Sequence, residues 1–180
     1  MRVAIVTVSD RCARGEAADE TGPALRQMLT TAGAEVLEIV VVPDESERIQ
    51  AELVRLTDRI GADVVVTNGG TGLGPRDVTP EATEAVLYRR APGIAEAMRA
   101  QSLASTRTAM LSRGTAGLRG AALIVNLPGS PRGARECLEI VLPVLDHAMR
   151  MMAGAGHGPE ASGDGGTTLG AGEPSDLPLR

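Results

Sequence analysis

The sequence predicts an α/β fold with a mainly parallel sheet, and three observations carry that prediction. Short β-branched runs alternate with stretches of helical periodicity. The runs are continuously apolar rather than alternating, as strands are when helices cover both faces of a sheet. Several runs end in polar or glycine-rich loops, the usual surroundings of a ligand at the carboxyl edge of such a sheet.

The elements follow in order. Val3 to Val8 reads as a strand buried on both faces. Thr21-Gly22-Pro23 opens a helix, with Thr21 placed to cap it and Pro23 tolerated in the first turn, and Gly33 closes it. Val36 to Val42 is a second strand, stopped by Pro43. Ile49, Leu53, Leu56 and Ile60 form a helical stripe, and Asp63 to Thr67 a third strand running into glycines. Thr79-Pro80 starts another helix by the same cap-and-proline logic; Pro92-Gly93 interrupts it before a further one from Ile94 to Leu103. Ala121 to Leu127 is a strand, and Leu118-Arg119-Gly120 suggests a hairpin with a partner near Met110 to Ala116. The last helix carries Ala134, Cys137, Leu138, Val141, Leu145 and Ala148 at helical spacing, with a kink expected at Pro143. After Ala153 come eight of the 22 glycines and few large apolar residues, so residues 153–180 are expected to be a disordered tail on a domain spanning residues 1–152.

Composition narrows the function. Phe and Trp are absent and Tyr88 is the one aromatic residue, so the core must be aliphatic, with Met110, Met149, Met151 and Met152 expected to fill gaps. A net charge of −5 and the missing aromatics argue against nucleic-acid binding. No apolar run is long enough to span a bilayer, no signal peptide is evident, and Cys12 and Cys137 form neither a disulfide framework nor a metal cluster, so the chain is expected to be cytoplasmic. All 18 basic residues are arginine. Without lysine there can be no Walker-A loop and no Schiff base.

The segment with most chemical content is Thr67-Asn68-Gly69-Gly70-Thr71-Gly72-Leu73-Gly74-Pro75-Arg76-Asp77. Glycines at a strand end let backbone N–H groups approach a phosphate, and Arg76 is a candidate clamp for its oxygens. Asp77 closes this loop and Asp44 follows the preceding strand. Parallel strands end on one edge, so both carboxylates can serve one cleft and hold Mg²⁺ beside phosphates. The plainer alternative is that each caps the helix after it. Ser9-Asp10-Arg11 and Pro128-Gly129-Ser130 bring two further polar loops to the same edge. His147 in the last helix and His157 in the tail are weak candidates for a catalytic base, and Cys12 in the first loop is a lone cysteine without a positioned histidine to activate it.

Taken in order, these loops resemble the Mog/MoaB family of molybdenum-cofactor biosynthesis. The similar stretches are Thr7-Val8-Ser9-Asp10, Asp19-Glu20-Thr21-Gly22-Pro23, Val42-Pro43-Asp44-Glu45, Gly69-Gly70-Thr71-Gly72, Arg76 to Thr83, Pro92-Gly93, Leu111-Ser112-Arg113 and Asn126-Leu127-Pro128-Gly129. The resemblance implies a three-layer α/β/α domain with one antiparallel strand, assembled as a homotrimer. It implies transfer of AMP from Mg-ATP to the terminal phosphate of molybdopterin, with a molybdenum-insertion enzyme as downstream partner. Asp44 and Asp77 match the family's catalytic, metal-binding acids. Asp10, Gly69, Gly70, Thr71, Gly72, Pro128, Gly129 and Ser130 match its nucleotide surface. Ser9, Thr21 and Ser112 match its pterin contacts. Asn68 departs from the family's usual small residue and is expected to alter the loop.

The rival within the family is a non-catalytic MoaB-like paralogue that binds pterin or nucleotide, and intact Asp44 and Asp77 speak for the enzyme. A scaffold module would require an exposed apolar patch. A dinucleotide oxidoreductase fails, because Ser9-Asp10-Arg11 stands where its glycine fingerprint belongs.

Overall fold

The computed structural model of the chain describes residues 1–154. One sheet of six strands, in the order β2-β1-β3-β6-β5-β4, forms the middle layer. Its strands are β1 (Arg2–Val8), β2 (Glu35–Val42), β3 (Val64–Asn68), β4 (Arg89–Arg90), β5 (Ala116–Arg119) and β6 (Ala122–Leu127). β2, β1, β3 and β6 are mutually parallel, and β5 runs against its neighbours β6 and β4. Among the described residues β5 is therefore the single strand of opposite direction, as the family resemblance implied.

The helices are α1 (Asp10–Ala13), α2 (Thr21–Thr31), α3 (Ser46–Val54), α4 (Thr79–Val86), α5 (Pro92–Ser102) and α6 (Pro131–Met152). Strand alternation splits the core into two clusters. Val3 and Ile5 of β1 pack with Leu25 and Leu29 of α2, Met98 of α5 and Leu138 and Leu145 of α6. Ala4, Val6 and Val8 pack on the other face with Ile49 and Leu53 of α3 and Ala82 and Val86 of α4. Consecutive residues of one strand thus serve opposite layers, which explains why the central strands read as unbroken apolar runs.

Several local expectations need correction. Thr21 does not cap α2; the Asp19 carboxylate accepts from the N–H groups of Thr21 and Gly22 at 3.0 and 2.9 Å. Thr79 makes no cap bond either, since Val78 takes the cap position. Pro92 begins α5 rather than interrupting a longer helix, and the short β4 lies just before it. Met110 falls in a 3-10 turn over Arg107–Leu111, so β5 starts only at Ala116. Met110 and Met151 are exposed instead of filling the core, whereas Met149 and Met152 pack against it. Pro143 sits inside the continuous α6. The expected tail lies, beyond Gly154, outside the described residues. No helix among the described residues is long and apolar enough to cross a membrane.

Candidate active site

The parallel strands deliver four loops to one edge, and the strand order reverses between β1 and β3, the position where open α/β sheets bind ligands. Backbones there are in contact. Gly69, at φ +99°, approaches so closely that a Cβ would lie 2.2 Å from the Val8 carbonyl oxygen. A Cβ on Gly129 would lie 3.1 Å from the Gly69 Cα. The ends of β1, β3 and β6 therefore meet through glycines, which allow that approach.

Asp44 and Asp10 interlock beside this junction. The Asp10 N–H donates to Asp44 Oδ2 at 2.8 Å, and the Asp44 N–H donates to Asp10 Oδ1 at 3.0 Å. Asp44 is thus not the side-chain cap of α3, whose cap residue is Glu45. Burial pushes the Asp44 carboxyl above its ordinary range; the Asp10 N–H opposes this, while the charges of Asp10 and Asp77 add to it. Arg76 places Nε and Nη2 on the two oxygens of Asp10, each at 3.0 Å. The expected phosphate clamp is accordingly held by a carboxylate, and this ion pair keeps the half-buried Asp10 carboxyl below the usual range.

Asp77 staples its own loop. Its Oδ2 accepts from the Gly74 N–H at 2.7 Å, and its N–H donates to the Gly74 carbonyl at 3.0 Å. It is not the cap of α4. Arg113 supports the loop from outside: its Nε donates to the Gly72 carbonyl at 2.6 Å, and its other nitrogens reach the Asp77 carbonyl and the Glu81 carboxylate. The Arg113 N–H also donates to the Thr71 carbonyl at 2.9 Å.

Two cavities flank the glycine loop. The polar one, about 390 Å³, is lined by Ser9, Thr21, Asp44, Gly69, Gly70, Asp77 and Gly129 among others. The second, about 360 Å³, lies under α5 and α6 and takes in Thr71, Gly72, Ser112, Pro128, Ser130 and Met98. The structure therefore divides both residue sets taken from the family. Gly69, Gly70 and Gly129 face the polar cavity with Ser9 and Thr21, while Ser112 joins Thr71, Gly72, Pro128 and Ser130. Asp10 lines neither cavity and touches the site through Asp44 and Arg76.

Asn68 is buried and donates from Nδ2 to Thr7 Oγ1 at 2.9 Å; Thr7 in turn donates to Asp19 at 2.8 Å. This chain of bonds joins β3, β1 and the start of α2, so Asn68 fixes strand ends. Thr21, freed from capping, donates from Oγ1 to the Gly129 carbonyl at 3.1 Å. Asp19 and Arg113 are the residues whose roles sequence reasoning missed. Asp19 had a legible signal, an acid just before a helix start; the contacts of Arg113 are long-range and had none.

The donor set bears on a metal. No group of three or more His, Cys, Asp or Glu among the described residues is arranged to hold an ion. Asp44 and Asp77 share a cavity, and one oxygen of each, Oδ1, has no hydrogen bond among the described residues. Two carboxylates fit Mg²⁺ arriving with phosphates, which keeps waters and needs few protein ligands. Cys12 lines the same cavity with no histidine among the described residues that line it, and Cys137 is buried near Ser102.

Comparison with known proteins identifies the family. Residues 4–147 match the family model described as "Probable molybdopterin binding domain". A molybdopterin adenylyltransferase of Helicobacter pylori (strain ATCC 700392 / 26695) is 40% identical over 156 residues, covering 86% of this chain and 89% of its own length. Its namesake from Escherichia coli (strain K12) is 43% identical over 141 residues, covering 77% and 72%. The crystal structure of the molybdopterin biosynthesis enzyme MoaB from Thermus thermophilus superposes with a TM-score of 0.81 at 54% identity, over 85% of this chain and 96% of that one.

Proposed function

The chain belongs to the molybdopterin-binding family that matches residues 4–147, and from that premise we propose that it is a molybdopterin adenylyltransferase. The observation that carries the reading is the meeting of Asp44, Asp77 and the Gly69-Gly70 turn in one polar cavity. Relatives bearing that activity by name align over most of both chains.

In the reaction an oxygen of the pterin's terminal phosphate attacks the α-phosphorus of ATP. A new P–O bond forms, the bond from the α-phosphorus to the bridging oxygen breaks, and pyrophosphate leaves with the electron pair. The nucleophile is already an anion and needs no general base. The chain has no lysine and, among the described residues, the site is lined without histidine, which suits that chemistry. What the protein must supply is alignment of two anionic groups and relief of their repulsion.

Backbone N–H groups of the glycine loop would receive phosphate oxygens, with Ser9 offering a hydroxyl and Thr21 bracing the Gly129 turn through its bond to the Gly129 carbonyl. The second cavity, bounded by Thr71, Ser112 and Ser130, would take a heterocycle. Mg²⁺ bound with ATP would be held by Asp44 and Asp77 and would neutralise phosphate charge. Arg76, exposed and paired with Asp10, is placed to exchange that carboxylate for a substrate phosphate. A homotrimer, a catalytic domain over residues 1–152 and a molybdenum-insertion enzyme as receiver of the product complete the proposal. Retention of both acids favours the enzyme over a binding-only paralogue.

The test is a turnover assay with Mg-ATP and molybdopterin, scoring adenylated pterin by mass and pyrophosphate by release. Pterin-dependent product, absent in Asp77→Asn, supports the reading. No product from the wild-type protein with both substrates bound would overturn it in favour of the binding-only paralogue.

A further inference from the structure

Thr79 is fully buried, and its hydroxyl has no hydrogen-bond partner among the described residues. Buried hydroxyls are normally paired, and threonine before proline at a helix start normally caps the helix. Here the first turn of α4 is closed without it, by the Ala82 N–H donating to the Val78 carbonyl at 3.0 Å. The Thr79 backbone N–H donates to the Gly70 carbonyl at 3.1 Å and holds the residue against the glycine loop.

The side chain is directed at Gly70. A Cβ on Gly70 would lie 2.3 Å from Thr79 Oγ1 and 3.0 Å from Asp44 Oδ1. The other Asp44 oxygen is taken by the Asp10 N–H. An unpaired donor and an unpaired acceptor therefore flank the same point beside Gly70, which has no side chain to part them.

We propose that Thr79 is a positioning residue for Asp44. Its hydroxyl donates to Asp44 Oδ1 once that carboxylate engages the cation and phosphates, and so fixes the orientation in which Asp44 meets them. The inference rests on the adenylyltransferase reading of the site. It assigns Gly70 the task of keeping the path between hydroxyl and carboxylate clear.

Thr79→Val keeps the shape and removes the donor; Thr79→Ser keeps the donor. Melting temperature, binding of Mn²⁺ with ATP in the absence of pterin by titration calorimetry, and kcat with KM are measured for both. Thr79→Val is expected to melt no lower than wild type, because the free protein loses no hydrogen bond. Its affinity for Mn-ATP falls several-fold and kcat about tenfold with the pterin KM unchanged, as expected when a ligating group is misaligned. Thr79→Ser restores both. The proposal is overturned if Thr79→Val keeps wild-type kcat and Mn-ATP affinity, or if Thr79→Ser is impaired as much as Thr79→Val. A melting temperature that drops in Thr79→Val alone also overturns it, by showing that the hydroxyl already has a structural partner. If wild type binds Mn-ATP but makes no product, the activity reading fails while the binding comparison still decides the role of Thr79. If wild type binds no Mn-ATP, both fall.

Discussion

Asp10 and Asp44 each donate a backbone N–H to the other's carboxylate, at 2.8 and 3.0 Å, across the ends of β1 and β2. The exchange fixes two loops at once, and Arg76 leans on the Asp10 half of it. Asp10→Ala removes the acceptor of the Asp44 N–H and the seat of Arg76 together. It is expected to lower kcat at least tenfold, on the scale of a lost positioning contact. Asp10→Asn keeps an acceptor oxygen for the Asp44 N–H and should lose much less. Pyrophosphate release by the two variants, compared at saturating pterin, checks this; equal losses would show that the charge of Asp10 matters and the crosswise bond does not.

The raised Asp44 carboxyl makes a second prediction, about stability. Burial disfavours its charge in the folded chain, so the folded form holds the proton more tightly than the unfolded form does. Linkage then makes the charge a cost that sets in as pH rises from the ordinary carboxylate value through the raised one and persists above it. Asp44→Asn is expected to abolish turnover yet raise the melting temperature near neutral pH. The gain should vanish below about pH 3.5, where both forms of Asp44 are protonated. Calorimetric melting of both proteins across that range is the measurement, and a gain that does not change with pH would refute the assignment.

The sequence carried the site's acids better than its supports. Asp44 and Asp77 were legible because one follows a largely apolar strand and the other closes the glycine loop that the next strand runs into, and parallel strands must end together. β4 was not legible: Arg89 and Arg90 are exposed and charged, and only pairing with Leu118 and Gly117 makes them a strand. Thr21 and Thr79 were misread as caps for a shared reason. A hydroxyl at a helix start satisfies the local rule, but tertiary contacts claim the position, Gly129 for Thr21 and Gly70 for Thr79. Arg113 was invisible as a support because its partners, Gly72, Asp77 and Glu81, lie far from it in sequence. Conversely, the separation of Ser112 from Ser9 and Thr21 follows from where the loops run in space, which motif matching does not encode.

Arg113 should behave as a support of the Asp77 loop. Its planar fork serves two carbonyls and a carboxylate in fixed directions, a geometry that lysine cannot reproduce. Arg113→Lys and Arg113→Met are both expected to destabilise the fold by about 1–3 kcal/mol, the range for breaking a partly buried hydrogen-bonded network. Both should lower kcat more than they raise the KM for pterin. Denaturant unfolding with steady-state kinetics tests this, and Arg113→Lys at wild-type activity would reduce the residue to a surface charge.

Two glycines of one loop should separate structure from chemistry. Gly69 has positive φ, and its Cβ would strike the Val8 carbonyl, a backbone atom of a central strand that cannot move aside. Gly69→Ala is therefore expected to cost about 3 kcal/mol or more of stability, from backbone strain together with steric overlap. At Gly74 a Cβ would meet the Asp77 carboxylate alone, 2.7 Å away, and φ is not positive there. That carboxylate can swing away, so Gly74→Ala should leave stability within about 0.5 kcal/mol of wild type, as at an ordinary surface site. The displaced carboxylate is the one assigned to the metal, so kcat should fall all the same. Parallel urea melts and turnover assays decide the matter: Gly74→Ala retaining full activity would mean that Asp77 need not sit where the loop holds it.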